Sequence, residues 1–96
     1  MKPSAALEMH REAIRQIVRA HRASNPRVFG SVAHGADTDD SDLDLLVDPA
    51  ADASLLDIAQ IQVELERRLG VSVDVLTPRS LPEKFRSQVI REAKAV

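Results

Sequence analysis

The sequence predicts a small α/β domain, of the α+β kind, in which a mixed three-stranded sheet is flanked by helices. Three observations support this prediction: apolar residues recur at helical spacing in three segments, short apolar runs alternate with these segments, and glycine or proline marks their boundaries. The predicted order is helix, strand, turn, strand, helix, strand, helix. Alternating strands and helices favour a sheet with helices packed against it, and 96 residues are expected to form one domain, 1–96.

The first half of the chain holds one predicted helix and two predicted strands. Apolar residues recur every three or four positions from Ala5 to about Arg22, which indicates an amphipathic helix. Asn25-Pro26 is expected to end this helix, and the short apolar run 27–29 is then the first strand. The second strand, 43–47, follows an acidic turn, and the periodicity leaves open whether it runs antiparallel to the first.

The segment after the second strand is predicted to complete a βαβ unit. Ser54 and Asp57 form a capping box that opens a helix, and Gly70 is its C-cap. Residues 71–76 alternate at period two and form the third strand. This strand should lie parallel to strand 43–47 through a right-handed crossover.

The chain ends in a third predicted helix. Ser80 is expected to cap this helix together with Glu83, three residues further on. Its apolar stripe consists of Leu81, Phe85, Val89 and Ala93.

Composition excludes several kinds of protein. The chain has no cysteine, so it contains neither a disulfide framework nor a thiolate metal site. Phe29 and Phe85 are its only aromatic residues, which argues against a stacking platform for single-stranded nucleic acid. No apolar run resembles a signal segment or could span a membrane, and we therefore expect a cytoplasmic protein.

Charge is distributed unevenly along the chain. Residues 31–66 carry ten acidic and no basic side chains, whereas residues 1–30 have six basic and two acidic, and residues 67–96 have seven basic and three acidic. So many carboxylates repel one another unless cations share the space. For five of the acidic residues a solvated surface is the better interpretation: Asp37, Asp39, Asp40, Asp52 and Asp57.

A glycine directly after the first strand suggests a phosphate-binding turn. Without a Cβ, Gly30 allows both a sharp turn and the close approach of a ligand to the backbone. Residues 32–34 can start a short helix, whose free N–H groups would face the same point as the Ser31 hydroxyl. That arrangement suits a phosphate group, although a Gly-Ser pair after a strand is, taken alone, more often a plain turn.

Two carboxylates at the start of the second strand indicate a metal site. Asp42 and Asp44 are two residues apart, so their side chains point to one face while the apolar residues of strand 43–47 point to the other. Carboxylate oxygens are the usual ligands of Mg²⁺, which also takes phosphate oxygens. A solvated strand end is the alternative for an isolated pair. The nearby Gly-Ser turn and the apolar strand that follows favour the metal site.

A third carboxylate can join this pair. Asp74 is the only acidic residue in strand 71–76, where it either faces solvent or is paired. If this strand lies beside strand 43–47, Asp74 comes near Asp42 and Asp44. Three carboxylates can hold two metal ions about 3.5–4 Å apart, a spacing that suits in-line displacement at phosphorus.

The segment from Gly30 to Val47 resembles the signature of the DNA polymerase β-type nucleotidyltransferase superfamily, and the short chain is similar to its minimal branch. The resemblance implies a polymerase β-like fold, with ATP as substrate and two Mg²⁺ ions, or Mn²⁺, as cofactors. It implies nucleotide-binding roles for Gly30, Ser31, Gly35 and Ser41. It implies metal-binding and catalytic roles for Asp42, Asp44 and Asp74.

The resemblance also implies a biological setting. Minimal nucleotidyltransferases act as antitoxins that transfer AMP to a tyrosine of a HEPN-family ribonuclease toxin. We therefore expect a HEPN toxin as partner, no membrane association, and contact with RNA only through that partner. His34 departs from the family pattern, in which Arg commonly precedes the second glycine. It either neutralises phosphate less well at pH 7 or is an exposed loop residue.

Two other functions stay open at this point. The protein could be a binding module that masks its partner without chemistry, a function that loss of a metal ligand would favour, but all three carboxylates are present. It could also transfer nucleotides to RNA, with the helix stripe Arg11, Arg15 and Arg19 as a phosphate track. A solvated helix face explains that stripe equally well.

Overall fold

A computed structural model of the protein describes all residues from 1 to 96 and contains five α-helices and four β-strands. The helices are α1 (Pro3–Met9), α2 (Arg11–Ala20), α3 (Gly30–Ala33), α4 (Leu55–Leu69) and α5 (Glu83–Glu92). The strands are β1 (Ala23–Phe29), β2 (Leu43–Pro49), β3 (Val73–Leu76) and β4 (Lys94–Ala95). None of the helices combines the length and the apolar character needed to cross a membrane.

The four strands form one mixed sheet in the order β3-β2-β1-β4. β2 and β3 are parallel and joined through α4, which confirms the predicted pairing of the βαβ unit. β1 is antiparallel to both β2 and β4. The predicted fold class is therefore confirmed, but the sheet has four strands rather than three. The two-residue β4 has no sequence pattern of its own and exists only through its pairing with β1.

The main core lies on one face of the sheet. Alternate residues of β2 and β3 point into it, and Leu43, Leu45, Val47 and Val73 are all at most 1% exposed. Helices α2 and α4 cover these residues with Ile14, Val18, Ile61 and Leu65. Burial of each such side chain stabilises the fold by roughly 1.5–3 kcal/mol. The remaining residues of β2 and β3 consequently point to the opposite face.

The N-terminal helix is shorter than the sequence predicts. The single helix expected from Ala5 to Arg22 is divided into α1 and α2 at His10, whose N–H donates to the Leu7 carbonyl. No glycine or proline marks this break. The break is accompanied by a tertiary contact, since the N–H of Ser4 donates to the buried Asp37 carboxylate at 2.8 Å and holds α1 against the loop after α3.

The first strand begins earlier than predicted. Asn25-Pro26 does not end the helix, which stops at Ala20 and is followed by Arg22 in the left-handed region (φ 59°). Asn25-Pro26 lies instead within β1, at an irregularity in the register with β2 and with Asn25 at φ 53°. Proline is tolerated in a sheet at such a bulge, because no ladder N–H is required there.

The predicted caps of α4 are confirmed and that of the last helix is wrong. Ser54 and Asp57 form the capping box, and Gly70 ends α4 in the left-handed conformation. Ser80, however, accepts the Thr77 N–H at 2.9 Å and closes a 3-10 turn after β3. Helix α5 begins only after Pro82, since proline fixes φ and offers no N–H for the preceding turn.

Candidate active site

Asp44 lies at the centre of the candidate site. It is paired with Phe29 of β1 on one side and with Asp74 of β3 on the other. Residues directly opposite each other in a sheet project from the same face, so these three side chains share the face away from the main core. Asp42 precedes β2 and is exposed. The structure thus brings Asp74 beside Asp44, as expected if β3 lies next to β2.

Burial and like charges act together on Asp44. Its pKa is raised from the usual range to about 6, mainly by burial and then by the negative charges of Asp74 and Asp42. Asp74 and Asp42 therefore both lie within electrostatic reach of Asp44. A cation bound among them would favour the charged form of Asp44 and remove this repulsion.

The donor chemistry of these side chains fits a hard divalent cation, since carboxylate oxygens are the ligands that Mg²⁺ prefers. No group of three or more His, Asp or Glu side chains lies close enough together to hold a metal ion by itself. Asp42, Asp44 and Asp74 would therefore hold Mg²⁺ in combination with phosphate oxygens and water. Mg²⁺ is usually bound in this way, by one or two carboxylates together with substrate phosphates.

The absence of a side chain at Gly30 leaves room for the Asp44 carboxylate. Its φ of +72° lies in the left-handed region, and a Cβ at this position would lie 2.3 Å from Asp44 Oδ2 and 3.3 Å from its Cγ. A side chain there would meet the carboxylate as well as strain the backbone. The sequence suggested that glycine allows a ligand to approach the backbone. The structure shows that it also admits the Asp44 carboxylate.

The other predicted nucleotide-binding residues lie around this turn. Ser31 is the second residue of α3 and is half-buried. Gly35 follows α3 with φ +68°, and the space that a Cβ would occupy there is open. Ser41 accepts the Thr38 N–H at 2.8 Å through its hydroxyl and so stabilises the acidic turn before β2. Ser41 therefore has a structural role, while its contact with nucleotide remains a prediction.

Two loop residues have partners that the sequence did not reveal. His34 is largely exposed, and its Nε2 lies 3.4 Å from Glu92 Oε2 on α5. Asp37 is buried rather than solvated, because it accepts the Ser4 N–H and thereby caps α1. That hydrogen bond is the main reason why the pKa of Asp37 is lowered. Neither contact can be predicted from a local sequence pattern, since each joins segments more than thirty residues apart.

The arginine stripe of the first helices is engaged with neighbouring carboxylates. Arg11 is ion-paired with Glu8, and Arg15 and Arg19 are both within ion-pair distance of Glu12. The Arg15 guanidinium also donates to the carbonyl of Val96. The structure therefore accounts for the stripe as a paired helix surface.

One feature of the last helix differs from the sequence prediction. Phe85 was expected to belong to an apolar packing stripe, but it is 50% exposed. Together with Gln88 it lines a cavity between α5 and the Gly30 turn. The sequence offered no local signal for this exposure, because Phe85 lies at regular helical spacing from Leu81 and Val89.

Comparison with known proteins places the chain in a family. The family model described as "Polymerase beta, Nucleotidyltransferase" matches residues 12–96. A protein of Methanocaldococcus jannaschii with the provisional name protein adenylyltransferase is 36% identical over 77 residues, which cover 80% of this chain and 83% of that protein. A solved structure provisionally described as a minimal nucleotidyltransferase is 43% identical, with a TM-score of 0.83 and coverage of 97% of this chain and 93% of that one.

Two solved complexes contain chains of the same fold. A toxin–antitoxin structure with AMP-PNP matches with a TM-score of 0.73 at 25% identity, over 88% of this chain and 69% of that chain. The complex of a tri-AMPylated Shewanella oneidensis HEPN toxin with an MNT antitoxin matches with a TM-score of 0.67 at 22% identity, over 92% of this chain and 69% of that chain. The second likeness is one of fold alone. The family model covers nearly the whole chain, and this protein therefore belongs to the polymerase β nucleotidyltransferase family.

Proposed function

We propose that this protein is a metal-dependent adenylyltransferase that transfers AMP from ATP to a tyrosine hydroxyl of a HEPN toxin and so acts as its antitoxin. The observation that carries this proposal is the position of Asp44, whose carboxylate lies between the Gly30 turn and Asp74. The provisional name of the M. jannaschii relative and the toxin–antitoxin complex with AMP-PNP support the same activity. Because the reaction consumes ATP, we place it in the cytoplasm.

The proposed reaction is a displacement at the α-phosphorus of ATP. The acceptor oxygen forms a new bond to this phosphorus while the bond to the bridging oxygen breaks. Pyrophosphate leaves with the electron pair, and the hydroxyl proton passes to solvent. Divalent metal held by Asp42, Asp44 and Asp74 would neutralise phosphate charge and lower the pKa of the acceptor hydroxyl.

The residues of the turn have a positioning role in this proposal. Gly30 leaves the backbone open to the triphosphate, and Ser31 offers its hydroxyl beside it. The backbone of Asp44 is held in place by pairing with Phe29 and Asp74 within the sheet, so its side chain is already on the face of the site before the nucleotide binds. Preorganisation of this kind lowers the cost of assembling the charged groups during the reaction.

The structure argues against one of the two alternative functions, transfer to RNA, but does not distinguish the other, masking of a partner, from AMP transfer. Transfer to RNA required a free arginine track, and Arg11, Arg15 and Arg19 are all paired with glutamates. Masking of the toxin without chemistry would require the same protein–toxin complex as AMP transfer, so only an experiment distinguishes the two functions.

The direct experiment incubates the purified protein with Mg²⁺, ATP and a HEPN toxin. Intact-mass spectrometry should show one or more AMP additions on the toxin, and peptide mapping should locate them on tyrosine. The additions should be absent when EDTA replaces Mg²⁺. A toxin that forms a stable complex but gains no mass would support masking instead.

A further inference from the structure

A cavity of about 250 Å³ adjoins the carboxylate site, between the Gly30 turn and α5. Phe29 forms part of its wall and is paired in the sheet with Asp44, so the cavity borders the proposed catalytic centre directly. One face of α5 forms the opposite wall, with the side chains of Phe85, Gln88 and Glu92 spaced as residues on a common helix face.

Both aromatic residues of the chain line this one cavity. Phe29 and Phe85 are the only aromatic residues among 96, and they come from different elements, β1 and α5. Phe85 is 50% exposed, although an aromatic side chain normally contributes to stability through burial. An exposed aromatic ring beside a phosphate-binding turn offers a stacking surface for a nucleobase.

The polar group beside Phe85 matches one base in particular. The Gln88 amide presents a donor and an acceptor side by side, and adenine presents the complementary pair through its 6-amino group and an adjacent ring nitrogen. Guanine presents two acceptors along its O6/N7 edge, so the same amide matches it less well. Glu92 adds a further acceptor at the rim, where it is paired with His34.

We propose that this cavity is the nucleobase subsite of the enzyme, with Phe85 stacking on adenine and Gln88 reading its amino edge. The inference rests on the proposed function and extends it by assigning nucleotide preference to named residues. The cavity volume is below the range of pockets that enclose a whole ligand, about 300–1,000 Å³. It suits a base alone, with ribose and phosphates outside it toward Gly30 and Asp44.

The test compares ligands that do and do not carry a base. Titration calorimetry of the full chain with Mg²⁺ would use ATP, GTP and inorganic tripolyphosphate. Phe85→Ala should weaken ATP binding about tenfold or more, since stacking is lost, and leave tripolyphosphate binding unchanged. Gln88→Leu should reduce the preference for ATP over GTP about tenfold. Ile90→Ala, which removes an exposed apolar side chain of α5 outside the cavity, is the matched control and should alter neither ligand.

Other outcomes would overturn the inference. If the wild-type protein binds ATP no better than tripolyphosphate, the base adds no affinity and the inference fails. If Phe85→Ala retains wild-type affinity for ATP and Gln88→Leu retains the preference for ATP over GTP, the base is bound elsewhere. In both cases the proposed function stands. Equal loss of ATP and tripolyphosphate binding in both variants would assign the cavity a structural role. Unchanged ATP binding with a raised KM for the toxin would assign the cavity to the acceptor. If the wild-type protein binds neither ligand, the proposed function itself fails.

Discussion

The Asp44 carboxylate lies against the Cα of Gly30, so closely that a Cβ at residue 30 would fall 2.3 Å from Asp44 Oδ2. The two residues lie at the same end of the antiparallel β1–β2 pair, since Gly30 directly follows β1 and Asp44 is the second residue of β2. The turn predicted to hold phosphate and the strand predicted to hold metal therefore form one structural unit. A change in either residue should disturb both functions.

Gly30→Ala tests this relationship. The added methyl group should displace the Asp44 carboxylate and strain a backbone with φ +72°, costing about 2 kcal/mol or more of stability. AMP transfer should fall by at least tenfold. Gly70→Ala is the control, because Gly70 has the same φ but open space around its Cα. That variant should lose only about 1 kcal/mol and retain full activity per folded molecule. Equal activity loss in both variants would contradict the relationship.

The raised pKa of Asp44 predicts the pH dependence of stability without metal. The folded-state pKa of about 6 is above the ordinary value of 3.8, so ionisation of Asp44 opposes folding. Stability should therefore fall as pH rises from about 4 to about 6. Partial exposure limits the loss through this residue to about 1–2 kcal/mol.

Urea unfolding in EDTA across this pH range measures the effect. Asp44→Asn should remove the decline and be more stable than the wild-type protein above pH 6. Asp40→Asn, which changes an exposed loop carboxylate, should show the same dependence of stability on pH as the wild-type protein. A decline that persists unchanged in Asp44→Asn would show that another group is responsible.

The parts of the site that could be predicted are those that depend on local sequence patterns. Period-two alternation placed Asp42 and Asp44 on one face of a strand. The apolar surroundings of Asp74 placed that residue in the neighbouring strand, and parallel pairing then brought Asp74 beside Asp44. The helix between them was predictable because its capping box and its C-terminal glycine are local signals.

The parts that could not be predicted depend on contacts between distant segments. The break at His10 and the burial of Asp37 both accompany a hydrogen bond from Ser4 across 33 residues. β4 has only two residues and is defined by its pairing with β1. The exposed position of Phe85 follows from how α5 lies against the Gly30 turn, which helical periodicity does not encode.

The Asp37 contact predicts a local effect of substitution. Asp37→Ala removes the acceptor of the Ser4 N–H, so α1 should fray and amide hydrogen exchange in residues 4–7 should accelerate. The lowered pKa of Asp37 means that this contact stabilises the fold above the ordinary Asp range and is lost as pH falls through the folded-state value. Asp40→Ala, at an exposed position of the same loop, is the control and should leave exchange in α1 unchanged. Protection of α1 that survives in Asp37→Ala would show that the helix is held by packing alone.

Asp74→Asn tests most directly whether the three carboxylates catalyse the transfer of AMP. The substitution keeps side-chain volume at an exposed strand position and removes one charge from the proposed metal site. The measurement is the intact mass of the HEPN toxin after co-expression with the wild-type protein or the variant, together with toxicity in the same cells. We predict AMP additions and protection with the wild-type protein, and an unmodified toxin with lost protection for the folded variant. Full protection by Asp74→Asn with an unmodified toxin would contradict the account and establish masking as the function.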